Sequence, residues 1–222
     1  MKLPLVSALF CHFIVLGLLI CNSLTLGQSA SQLQKEFKDI KETYGSRYVR
    51  LYGACDKDGF IDDLVDAAWD NGLGLHQLIW FGFNGGNQWQ RRRDAIYSNL
   101  KSNPKAKFVT RVVQFGSEPL FDQVLPESEL ASNVKSAKQT LKQYGVNVTV
   151  SDMAYGFQEN GGAQDVLDAM DWVNAHMLPF FSTKATTGAA AWPLVQTDIN
   201  WFQQHAKGKK IYMDEVKIPV SV

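Results

Sequence analysis

The sequence predicts an α/β protein assembled from parallel βαβ units. Three observations carry this reading. Apolar stripes at helical spacing alternate along the chain with short runs rich in β-branched and aromatic residues. Several of those runs end in Gly, Asp, Glu and aromatic residues, the composition of a functional rim on strands that all point one way. The chain has 222 residues, 45% hydrophobic and 20% charged, which fits one packed domain and excludes a largely disordered polypeptide.

The elements follow in order. Leu33, Phe37, Ile40 and Tyr44 stripe a first helix, and Gly45 can end it. Residues 47–54, around Tyr48-Val49-Arg50-Leu51-Tyr52, read as a first strand. Ile61, Leu64, Val65, Ala68 and Trp69 stripe a second helix, closed by Asn71-Gly72. A strand over 75–83, a helix over 89–100 ended by Asn103-Pro104, and a strand over 108–115 come next. Leu130, Val134, Ala137, Leu141 and Tyr144 mark a long helix before Gly145, and a strand follows over 146–150. The chain then reads as a short helix at 163–169 and a fifth strand at 172–176. A helix at 189–206, with Pro193 tolerated near its first turn, precedes a sixth strand at 210–213.

Six strands fall short of a closed eight-stranded barrel, which usually takes about 250 residues, and an open doubly wound sheet would suit the length. However, Gly53-Ala54-Cys55-Asp56 is no dinucleotide fingerprint, and no phosphate-loop spacing occurs, so nucleotide binding is unsupported. The 22 Lys plus Arg balance 22 Asp plus Glu. A net charge of zero gives no long-range pull on nucleic acid or an anionic membrane, and no nucleic-acid partner is expected. No obligate protein partner is evident either.

Residues 1–27 read as a signal peptide, with cleavage as late as residue 30: Lys2 precedes an apolar run from Leu3 to Ile20, and small residues follow. The expected location is extracellular, including the cell wall. The rival is an uncleaved signal anchor that tethers the chain to a membrane. Two of the three cysteines, Cys11 and Cys21, lie in this segment, so Cys55 alone remains and the mature chain is no disulfide scaffold. Asn147-Val148-Thr149 is an N-glycosylation sequon.

On parallel βα architectures, functional side chains collect at the C-terminal ends of strands. There the chain offers Tyr52, Trp80-Phe81, Glu118, Asp152 with Tyr155, His176 and Asp214-Glu215. Two glutamates closing two different strands, with aromatic residues around them, suit sugar chemistry. A carboxylate pair can act as acid/base and nucleophile, standing roughly 5–5.5 Å apart in retaining enzymes, while aromatic faces stack on sugar rings. Either glutamate could equally be a solvated loop carboxylate.

The run Val113-Gln114-Phe115-Gly116-Ser117-Glu118-Pro119-Leu120 resembles the acid/base strand of glycoside hydrolase family 17, whose motif is a Gly, then Asn or Ser, then Glu. Arg50-Leu51-Tyr52, Ile79-Trp80-Phe81-Gly82, Val148 to Asp152, Ala175-His176 with Pro179-Phe180-Phe181, and Lys210 to Glu215 support it in order. The resemblance is to secreted fungal endo-β-1,3-glucanases and glucan transferases. It implies an incomplete (β/α)8 barrel over residues 31–222, with about six of eight strands. It implies a retaining mechanism with Glu118 as acid/base and Glu215 as nucleophile, a β-glucan substrate, and no metal or organic cofactor. Tyr52, Phe81, Tyr155, His176, Phe180 and Trp192 become candidates for the glucan groove. The family's Gly-Trp-Pro after the nucleophile is missing here, as are its first and last strands. The chain therefore reads as truncated and is expected to fold poorly or be inactive by itself, and the alternative function is a non-catalytic β-glucan-binding protein.

Overall fold

The computed structural model describes residues 28–53, 56–82 and 86–218. The signal-like segment, Cys55, Phe83 and the last four residues lie outside these. Six parallel strands form one sheet in chain order: β1 (Tyr48–Arg50), β2 (Gly74–Ile79), β3 (Thr110–Ser117), β4 (Asn147–Met153), β5 (Val173–Met177) and β6 (Ile211–Val216). The principal helices between them are α1 (Ala30–Tyr44), α2 (Phe60–Asp70), α3 (Gln88–Ser102), α4 (Ala106–Val109), α5 (Glu127–Leu141), α6 (Ala154–Glu159), α7 (Gln164–Ala169) and α8 (Gly188–His205).

The sheet curls until side chains of its first and last strands touch. The Arg50 guanidinium at the end of β1 stands 2.9 Å from Asp214 and 3.1 Å from Glu215, both on β6. Strand alternation sorts the side chains into two layers. Val49, Leu75, Ile79, Val113, Phe115, Val148, Val150, Val173, Ala175 and Met177 pack outward against the helices in one apolar core. Arg50, Gln114, Ser151, Asn174 and Asp214 point inward and bond to one another. The architecture is an incomplete (β/α)8 barrel, as the resemblance implied.

Helix ends follow the local chemistry. Ser29 caps α1 in a reciprocal capping box with Gln32, and Gly45 closes it in the left-handed conformation. Thr187 caps α8, so that helix starts at Gly188 and Pro193 falls beyond the first turn. The third strand starts later than its pattern suggested. Residues 106–109 form the one-turn α4, so Phe108 is helical and 54% exposed. Helix α6 went unread because Ala154–Glu159 is a short segment with a mid-helix glycine.

Candidate active site

Two bulges aim the key side chains. Between β3 and β4 the register runs from Gln114↔Thr149 to Ser117↔Ser151, one extra residue on β3. Gly116 sits in that bulge with φ +87°, and a Cβ there would lie 2.9 Å from both Phe81 and Pro119. Between β5 and β6, Ala175 pairs with Met213 but His176 pairs with Glu215, so Asp214 is the extra residue. Neighbours on a regular strand point to opposite faces; the bulge lets Asp214 and Glu215 both reach Arg50.

Arg50 is the hub. It is 3% exposed. Its Nε donates to Gln114, its Nη1 to Glu215 Oε2, and its Nη2 to Ser117 Oγ and His176 Nε2, each at 3.1 Å. Its guanidinium also lies 4.2 Å from the Tyr52 ring centre. The Tyr52 phenol lies close enough to Glu215 for the two side chains to interact. Burial, opposed by Arg50 and reinforced by Glu215, pushes the Tyr52 phenol well above its ordinary value, so it remains a protonated donor.

Glu118 follows β3 directly, half-buried, with Oε1 2.9 Å from His176 Nδ1. In the neutral ring, the Arg50 donor makes Nε2 the acceptor and leaves the Nδ1 proton facing Glu118. Burial pulls the His176 pKa down, but the Asp214 charge and the Glu118 bond carry it above the ordinary value. Glu118, His176 and Glu215 each offer a ligand atom within 4.8 Å of the others. That spacing could hold a cation, but Arg50 already supplies positive charge against Glu215 and His176.

The two glutamates, far apart in sequence, thus share one end of the barrel, with Tyr52 beside Glu215. Tyr155, Phe180 and Trp192 are exposed, and Phe121, which the sequence had not singled out, pairs with Tyr155 at a ring-centre distance of 6.1 Å. Phe180 N–H donates to Lys217 O, two residues past Glu215. Two of the groove candidates are buried. Phe81 is buried, its ring packed between Trp89 and Phe115, because the bulge at Gly116 opens space for it in the core. His176 is fully buried beneath Glu118, both ring nitrogens engaged by Arg50 and Glu118. Asn147 is partly exposed and opens onto a cleft with Trp172 and Tyr212 at the strands' N-terminal end, away from the glutamates. Sequence reasoning ranked Arg50 only as motif support; a lone arginine in an apolar strand was the available signal.

The comparisons agree with this geometry. The BtgE/BtgC glycoside hydrolase domain matches residues 22–220. A β-1,3-glucanosyltransferase of glycoside hydrolase family 17 from Rhizomucor miehei has a similar structure, with TM-score 0.68 and 17% identity over 84% of this chain. An active-site mutant of that transferase was solved with laminaritriose. This chain spans 65% of the transferase's length. An endo-β-1,4-mannanase from Thermotoga petrophila follows at TM-score 0.56 and 14% identity, covering 86% of this chain and 58% of that one. No curated protein sequence matches significantly. These two likenesses establish the barrel, the family match extends over nearly the whole sequence, and the chain belongs to the BtgE/BtgC glycoside hydrolase family.

Proposed function

We propose that this chain carries the active site of a secreted retaining glycosidase or transglycosylase acting on β-1,3-glucan. The observation behind it is the spacing of Glu118 and Glu215, whose facing oxygens lie within 4.8 Å. Retaining enzymes hold their carboxyl groups roughly 5–5.5 Å apart, whereas inverting ones need about 6.5–9.5 Å to admit a water. The linkage rests on the transferase solved with laminaritriose and on the family resemblance.

In this reading Glu118 protonates the glycosidic oxygen as Glu215 attacks the anomeric carbon, forming a glycosyl ester and releasing the leaving sugar. Arg50 and Tyr52 orient Glu215 and stabilise its negative charge. His176 holds Glu118 through Oε1, leaving Oε2 to address the substrate. Glu118 then takes a proton from water or a sugar hydroxyl, which attacks the same carbon and restores the original configuration. Phe121, Tyr155, Phe180 and Trp192 supply exposed faces for sugar stacking.

Export through cleavage of residues 1–27 completes the proposal, with a cleaved N-terminus on the secreted chain as its check. For the chemistry, the purified protein is incubated with laminarin while NMR follows the anomer first formed. Retained β-products, abolished by Glu118→Gln, support the reading. Binding to insoluble glucan without turnover would replace it with a non-catalytic glucan-binding role.

A further inference from the structure

The turn that carries Glu118 is held in an unfavourable conformation from outside itself. Glu118 has φ +57°, the left-handed region, which costs a side-chain-bearing residue free energy unless its surroundings enforce it. Its own N–H donates to Ser151 O at 2.7 Å, and its carbonyl accepts from Asp122 N–H at 2.8 Å. A further restraint comes from Asp152, the next residue of β4. Asp152 Oδ2 accepts from the Leu120 N–H at 2.8 Å and the Phe121 N–H at 3.3 Å. Its Oδ1 accepts from the Met153 N–H at 2.8 Å. The carboxylate is fully buried. Asn160 donates to Leu120 O at 3.1 Å, adding a second tie to the same turn.

The fold makes room for this carboxylate. A Cβ on Gly156 would collide with Asp152 Oδ1 and stand 3.0 Å from the Phe121 nitrogen, so α6 can cross here only with a glycine. Three amide hydrogens are divided over the two oxygens, two on Oδ2 and one on Oδ1. Burial nevertheless pushes the Asp152 carboxyl up to about 7, against the opposing pull of the Leu120 amide, His176 and the other two amides. A buried carboxylate that spends one oxygen on the Leu120 and Phe121 amides, two and three residues past Glu118, helps to place that backbone.

We propose that Asp152 is a positioning residue for Glu118: by clamping the Leu120 and Phe121 amides it holds the 118–122 turn, and with it the acid/base carboxylate, at the distance from Glu215 that the reaction needs. The catalytic half of this statement rests on the reading of Glu118 as acid/base; the structural half does not.

The test uses the full chain. In Asp152→Asn, an amide group replaces one acceptor oxygen and confronts backbone donors. Residue-resolved amide hydrogen exchange reads the clamp, and laminarin kinetics read its consequence. The expected result is a loss of protection of at least tenfold at Leu120 and Phe121, with Val113 and Val148 in the adjoining strands unchanged. In kinetics, kcat falls about 10- to 100-fold with KM within twofold, the size expected for a catalytic group displaced by about 1 Å. Unchanged exchange at Leu120 and Phe121, or equal loss of protection at every site, overturns the clamp. Lost local protection with unaltered kcat overturns its catalytic consequence. If the wild-type protein leaves laminarin intact, the functional reading fails while the exchange data still decide the clamp. Should Asp152→Asn not fold, the wild-type exchange map decides: the Leu120 amide exchanges as slowly as the amides of the adjoining strands if clamped, and at the rate of an open loop if not.

Discussion

Replacing Arg50 with methionine keeps the length of the side chain and removes the charge that joins the two ends of the sheet. Arg50 and Asp214 have side chains only 2% and 1% exposed, and Glu215 is 21% exposed. Methionine leaves Asp214 as an uncompensated buried carboxylate and strips Glu215 of its cation. Breaking a buried pair from one side costs about 3–5 kcal/mol, a large part of the roughly 5–15 kcal/mol by which domains are stable. Urea unfolding at pH 7 measures the loss. With a slope of about 2 kcal/mol per molar, the midpoint should fall by about 1.5–2.5 M. Adding Asp214→Asn to Arg50→Met removes the orphaned charge and should recover part of the loss, the non-additivity expected of residues in contact. Arg50→Lys should fall between, since one ammonium cannot reach Gln114, Ser117, Asp214 and Glu215 together. A loss below about 1 kcal/mol for Arg50→Met would refute the view that this guanidinium ties β1 to β6 and steadies the carboxylates.

Other outcomes follow from the same geometry. Glu118→Gln and Glu215→Gln should each abolish laminarin turnover while leaving the circular dichroism spectrum unchanged. Gly116→Ala should cost about 1–3 kcal/mol in urea unfolding, because its Cβ meets Phe81 and Pro119 at a positive φ. Asp152 is raised from 3.8 to about 7 in the folded chain, so its contribution is fully present below about pH 4 and is lost as pH rises through about 7. Relative to Asp152→Asn, wild-type stability should therefore decline across that window, and a parallel pH profile would contradict it. Tyr52→Phe should lower kcat with little change in unfolding midpoint, since it removes the hydroxyl beside Glu215 and keeps the ring over Arg50.

Much was legible before any coordinates. The stripe Leu33, Phe37 and Ile40 is buried in α1 as its spacing required, and Gly45 ends the helix by the left-handed route open to glycine. All six strands stand where β-branched runs lie between helical stripes, because burial periodicity is local information. Phe108 lies in α4 and not in a strand, since one turn of helix and the start of a strand share an apolar composition. Sequence reasoning put Phe81 on the groove, because an aromatic at a strand end can turn toward the core or the rim.

By its own order of residues, the chain determined the alternation of helix and strand, the parallel direction, and that Glu118 and Glu215 would each close a strand. Only the tertiary structure decided that those strands face one another, that Arg50 joins β1 to β6, and that His176 lies buried beneath Glu118. The reason is physical. Periodicity and turn chemistry act over a few residues, whereas the curl of the sheet and one-residue bulges such as those at Gly116 and Asp214 arise from pairing between distant segments. A single inserted residue reverses which face a side chain meets, and that choice leaves no trace in composition.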